Sequence, residues 1–168
     1  REGFEAALVV AIVLAFVRRQ SPEHTRAVWL GTGGALAVSI VVGLREVLRM
    51  LEAEGLANVF KRHDRLARAT RSGVEALGLE LFAKASPSPA LTAVVAPVGV
   101  DSEAVLAAYS ASHNITIAGG QGEMKGTVFR LGHMGYVGDF DVVTALAALE
   151  QVLHELGAPV DFGAGVRA

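Results

Sequence analysis

The sequence predicts an α+β fold: a small antiparallel or mixed sheet with helices on one face, preceded by an apolar, transmembrane-like helical hairpin. Three observations carry this. The chain is 52% hydrophobic with a mean hydropathy of +0.44, above an ordinary soluble domain, and the excess lies ahead of Arg45. Beyond that point, short runs rich in branched residues alternate with runs whose apolar residues recur at three and four. Gly and Pro separate these runs, as they do where short strands and helices pack in two layers. The expected organisation is two apolar helices over residues 1–43 and a globular domain over residues 44–168.

Residues 6–17 are unbroken apolar sequence closed by Arg18 and Arg19. That falls short of the about 20 residues a bilayer span needs, so upstream sequence would have to complete it. The chain starts with Arg1 instead of Met, and therefore reads as a fragment, a processed product or an incomplete reading frame. Ser21-Pro22-Glu23 is a turn and helix start, with Ser as cap and Pro at the first position. Residues 27–44 carry no charge. Gly31, Gly33, Gly34, Ala35 and Ala37 are small, as in close-packed membrane helices, and Trp29 sits near one end. Neither apolar segment shows a polar stripe, which favours a membrane hairpin over a buried hairpin in a soluble core. Arg18, Arg19 and Arg26 lie between the segments against Glu23, which places that loop in the cytoplasm.

The character changes at Val42-Gly43-Leu44, after which Arg45, Glu46, Arg49, Glu52 and Glu54 follow in quick succession. Leu44, Val47, Leu48 and Leu51 make one helical face, and Gly55 breaks or caps it. A second helix spans residues 56–77, with Val59, Phe60, His63, Leu66, Thr70 and Val74 on its apolar side. His63 there reads as a satisfied packing histidine. Lys61, Arg62, Arg65, Arg68 and Arg71 form a basic face. Without interleaved aromatics, and at a net charge of −2, that face is solvated and no nucleic-acid partner is implied. Residues 79–82 and 91–98 are strands separated by the proline loop Ser86-Pro87-Ser88-Pro89. Asp101 caps a helix that runs to His113, with Asn114 as a left-handed stop. Residues 115–118 are the next strand, followed by the loop Gly119-Gly120-Gln121-Gly122. Asp139 caps a last helix with Val142, Leu146, Leu149, Leu153 and Leu156 on its face; Gly157 and Pro159 stop it. The small, Gly-rich tail to Ala168 is expected to be disordered.

Chemistry concentrates between Lys125 and Gly135. Phe129 and Leu131 flank Arg130 on a strand, so the guanidinium points away from their face. Gly132 and Gly135 leave backbone bare nearby. A planar fork on such a surface suits a carboxylate, because it can donate two parallel hydrogen bonds. On pattern alone, an edge-strand arginine paired with an acid or simply solvated is the commoner case. The glycine loop is no phosphate cradle, since neither a helix N-terminus nor a GK[ST] signature follows. No cysteine is present, which excludes disulfides and thiolate metal sites.

Val128-Phe129-Arg130-Leu131-Gly132-His133-Met134-Gly135 resembles the R-(I/L)-G-x-M-G segment late in class V pyridoxal-phosphate (PLP) aminotransferases, the alanine–glyoxylate and serine–pyruvate group that includes soluble hydrogenase small subunits. The resemblance covers roughly residues 44–157. It implies that residues 44–168 are a C-terminal small domain and that Arg130 binds the α-carboxylate of an amino acid or 2-oxo acid substrate. It also implies a cytoplasmic protein and a homodimer when intact. The Schiff-base lysine of that family lies in the large domain, so Lys125 has no catalytic role, no catalytic residue is assigned and the chain alone is expected to be inactive.

The start, REGFEAALVVAIVLAFVRR and then HTRAVWLGTGGALAVS, resembles the first helices of REGxE-type high-affinity iron permeases. Carboxylates three apart share a helix face and are hard ligands, and the resemblance implies ferric iron at Glu2 and Glu5 and a membrane around residues 1–43. A charged helix terminus at the headgroup level is the plainer alternative. The family's second motif and further spans do not appear in this sequence, so a complete permeation path is not expected of it. The expectation is two unrelated pieces joined in one reading frame.

Overall fold

The structure, a computed structural model, describes residues 10–13, 15, 17 and 25–168. The chain divides into two compact units, Arg1–Leu56 and Ala57–Ala168.

In the first unit one helix dominates the described residues: α1, Thr25–Glu54, 30 residues long. By length and composition it is apolar enough to cross a membrane, and none of its residues is buried. It passes through Leu44 without interruption, where the sequence suggested that one helix ends and another begins. The backbone bonds of a helix are local and indifferent to a change from apolar to charged side chains. Glu46 and Arg49 join in a two-point ion pair at 2.7 and 3.0 Å near its end, and Arg49 lowers the Glu46 carboxyl below its ordinary value. The helix stops at Gly55, whose positive φ of 79° suits glycine. Its N–H donates to Leu51 O at 2.9 Å. Residues 10–13, 15 and 17 are helical, but the rest of residues 1–24 lies outside the described set. The expected hairpin is therefore not established.

The second unit is the α+β domain. After α2 (Leu56–Ala76) come β1 (Glu80–Leu81), β2 (Leu91–Val95), α3 (Ser102–His113), β3 (Ala118–Gly119), a 3-10 turn at Gly122–Met124, β4 (Val128–Gly132), α4 (Asp139–Glu155) and a short α5 (Ala164–Arg167). The strands pair in the order β1-β2-β4-β3, all antiparallel. Leu81, Val94 and Phe129 are opposite one another in register, and Leu131 follows two residues after Phe129. These residues share one face, and that face meets Leu66 and Val74 of α2, Val105 and Tyr109 of α3, and Leu146, Leu149 and Leu153 of α4 in a single core. Each fully buried Leu or Phe there contributes about 1.5–3 kcal/mol. The Tyr109 hydroxyl, pushed to a higher pKa by burial, donates to Ala145 O at 2.8 Å and so ties α3 to α4.

Local chemistry explains the boundaries. Asp101 caps α3 by accepting from Glu103 N at 2.9 Å, and Asn114 closes it at φ 54°. The cap of α4 is Gly138 rather than the expected Asp139: Gly138 N donates to Asp141 Oδ2 at 2.7 Å, while Asp139 pairs with Arg65 at 2.9 Å. The strand expected over residues 115–118 shrinks to Ala118–Gly119, because Ile115 and Ile117 pack against the core instead of pairing. The tail is ordered, against expectation. Glu150, buried on the inner side of α4, accepts from Gly163 N at 2.7 Å and Gly165 N at 3.0 Å. Gly73 permits close approach here, since a Cβ on it would lie 2.5 Å from Leu146 Cδ1 and 2.7 Å from Gly165 O.

Candidate functional site

The sheet's second face carries Arg130, with Ala93 and Ala118 as its cross-strand neighbours on either side. Alternation along β4 puts it there: Phe129 and Leu131 are buried on the core side and Arg130 is half-buried on the other. Flanking alanines leave the space above the guanidinium open. Arg130 Nε donates to Gly119 O at 2.9 Å. That bond holds the plane of the fork and leaves its two Nη groups without a hydrogen-bond or ion-pair partner among the described residues. The same peptide is gripped from its other side, where Gly120 N donates to Val128 O at 2.7 Å.

Beyond β4 the chain turns through residues 133–138 into α4. His133 is buried; its Nε2 lies 3.0 Å from Thr92 Oγ1, which clips β4 to β2, and its N–H donates to Ala90 O at 3.2 Å. Burial, reinforced by the charges of Arg71 and His63 and opposed by the Pro89 carbonyl, pushes the His133 pKa down and keeps the ring neutral. Arg62 of α2 donates to Gly135 O at 3.0 Å and Val137 O at 2.9 Å, holding the turn from below. Met134 and Tyr136 stand out from it into solvent, as does Phe140 in the first turn of α4.

Several expectations change here. Arg62 and Arg65 are not a merely solvated basic face, since they tie α2 to the turn and to the start of α4. Nor is His63 a satisfied packing histidine: its Nε2 is buried without a hydrogen-bond partner. Sequence reasoning missed the Gly119 carbonyl and Arg62; neither has a side-chain pattern that announces a backbone contact. A cavity of about 140 Å³ lies on the core side between Ile115, Ile117, Leu131 and Val142 and does not include Arg130.

The described residues contain no group of three or more His, Asp or Glu side chains able to hold a metal. Glu2 and Glu5 lie outside the described residues. The fit to PLP can be tested on the lysines. A Schiff-base lysine has to be desolvated or set beside another cation. Lys61, Lys84 and Lys125 are all exposed, and Lys84 is engaged with Glu80 at 2.7 Å. The lysines of this chain therefore do not fit PLP.

No family model matches the chain. The soluble hydrogenase small subunit of Synechococcus sp. is 48% identical over 154 residues, covering 90% of this chain and 38% of that protein. The serine–glyoxylate aminotransferase of Arabidopsis thaliana is 35% identical over 134 residues, 79% of this chain and 33% of that one. Among solved structures, the ureidoglycine–glyoxylate aminotransferase of Bacillus subtilis matches with a TM-score of 0.71 at 37% identity, over 74% of this chain and 33% of its own. The pyridoxamine–pyruvate aminotransferase of Mesorhizobium loti gives 0.69 at 35% identity, over 72% and 32%. These homologues and structural neighbours are class V aminotransferases. The chain spans about a third of the length of the relatives it matches, as a C-terminal part of one would. The Synechococcus alignment is longer than residues 44–168, so it reaches upstream of Leu44, where the sequence had placed the start of the resemblance. The matches give no support to an iron permease.

Proposed function

We propose that the α+β domain is the small C-terminal domain of a PLP-dependent class V aminotransferase of the alanine or serine to glyoxylate or pyruvate type. In this reading Arg130 grips the α-carboxylate of the amino acid or 2-oxo acid. The observation that carries it is the state of Arg130: half-buried on the open face of the sheet, fixed through Nε, with its Nη edge unpaired. An end-on fork of this kind binds a carboxylate with both direction and plane defined. PLP chemistry, the lysine that carries it and most of its contacts belong to a large domain that completes the site. The complete protein is a homodimer of the cytoplasm.

The chain by itself then performs no transamination. The test is to incubate the purified chain with PLP, alanine and glyoxylate and to follow pyruvate. No product above the protein-free control is expected, and sustained turnover would overturn the reading, because the exposed lysines would then have to supply the Schiff base.

A further inference from the structure

The loop between β3 and β4 closes on a single bare Cα. A Cβ built on Gly120 would stand 2.1 Å from the Met124 carbonyl oxygen and 2.6 Å from its carbon, so no side chain fits unless the backbone moves. The Met124 carbonyl is itself held, accepting from Thr127 Oγ1 at 3.0 Å and Thr127 N at 3.2 Å. Gly120 supplies the N–H of the very peptide whose carbonyl, that of Gly119, receives Arg130 Nε. The neighbouring Gly119 is different: a Cβ there would meet Glu103 Oε1 at 2.9 Å and Leu106 Cδ2 at 3.2 Å, the free ends of flexible side chains.

We propose that Gly120 is the positioning residue for Arg130. Packing of the Met124 carbonyl onto its bare Cα fixes the 119–120 peptide, and that peptide turns the guanidinium so that its Nη edge faces the open side of the sheet. A side chain at Gly120 pushes the Met124 carbonyl away and swings the peptide, and the Gly119 carbonyl leaves Nε. A side chain at Gly119 displaces only the tips of Glu103 and Leu106, and the bond stays. The use of that edge for a carboxylate rests on the functional reading above; the positioning itself does not.

The test is hydrogen exchange of the Arg130 Nε–H in the full chain, followed by nitrogen-15 NMR, with the Tyr109 and Leu149 amides as the check on folding. Gly120→Ala is expected to speed this exchange about tenfold or more, as loss of a half-buried hydrogen bond does, while Gly119→Ala leaves it within about twofold. Thr127→Val loosens the Met124 carbonyl without placing an atom on Gly120 and is expected to give about threefold. Protected exchange in Gly120→Ala, or equal loss in Gly119→Ala, overturns the proposal. If Gly120→Ala does not fold, wild-type exchange in Thr127→Val overturns it instead. Pyruvate is then added as the carboxylate probe. Wild type and Gly119→Ala should show a shift of the Arg130 resonance that Gly120→Ala lacks. Absence of any pyruvate response in wild type, with the exchange contrast intact, strikes the functional reading and leaves the positioning role standing.

Discussion

Glu150 is a carboxylate in a position where the sequence offers Leu146, Leu149 and Leu153 for company, and its two oxygens are both in use. Glu150→Gln keeps the volume and removes the charge. A hydrogen bond to a charged group contributes about 1.5–3 kcal/mol, and a neutral one about 1 kcal/mol. Glutamine offers one acceptor oxygen and turns its NH2 toward the other N–H, so one bond is lost and the survivor becomes neutral. The loss is then about 2–5 kcal/mol. It falls on the tail, because Gly163 and α5 can lift away while the core of α2, α3 and α4 stays packed. Amide hydrogen exchange resolves this. The Gly163 and Gly165 amides should exchange at least about thirtyfold faster in the variant, with the Leu149 amide affected far less. Exchange within about twofold of wild type at both glycines would refute the reasoning, since the carboxylate would then contribute nothing that the amide cannot.

Three further outcomes follow from single contacts. Gly73→Ala forces a methyl toward Leu146 Cδ1, 2.5 Å from its ideal position, and toward the fixed Gly165 carbonyl. Overpacking of this kind costs about 1–3 kcal/mol, so the urea midpoint should fall, and an unchanged midpoint would contradict the close approach. Tyr109→Phe removes the bond to Ala145 O and leaves that carbonyl half-buried, for a loss of about 1 kcal/mol by urea unfolding; a neutral result would mean that the hydroxyl is satisfied equally well by water. His133 has a folded-state pKa below its ordinary 6.5, so the unfolded chain takes up the proton first as pH falls. Its contribution is complete above that value and declines as pH drops from there toward the folded-state value. His133→Gln should therefore flatten the fall in urea midpoint between pH 7.5 and pH 5.5, and the same slope in both proteins would argue against a neutral buried ring.

Where local chemistry decides the structure, the sequence was readable. Asp101 and Asn114 bound α3 because a cap and a left-handed stop act within one turn. Arg130 lies opposite Phe129 and Leu131 because strand alternation leaves no other choice. What failed depended on partners distant in sequence or on the backbone. Ile115 and Ile117 have the pattern of a strand, yet strand formation needs an edge in register, and β4 offers one only to Ala118 and Gly119. The tail was read from its own small residues, although the group that orders it is Glu150; an acid set among the apolar positions of α4 was the available signal. At Leu44 the composition changes while α1 continues, because the helix is held by bonds that do not depend on side-chain polarity. The candidate site was legible as one arginine and no more, since the carbonyl that holds that side chain belongs to a glycine.

The central claim is that residues 44–168 supply the substrate-binding arginine to an aminotransferase whose lysine lies elsewhere. Its most direct test is a chimera in which these residues replace the matching third of a full-length relative, assayed with PLP, an amino donor and glyoxylate. Activity should return, and Arg130→Lys within the chimera should raise the KM for the amino donor about tenfold or more, since lysine keeps the charge and loses the planar fork. A folded, PLP-loaded chimera whose KM is the same with arginine or lysine at this position would contradict the account and leave Arg130 a structural residue of an open sheet face.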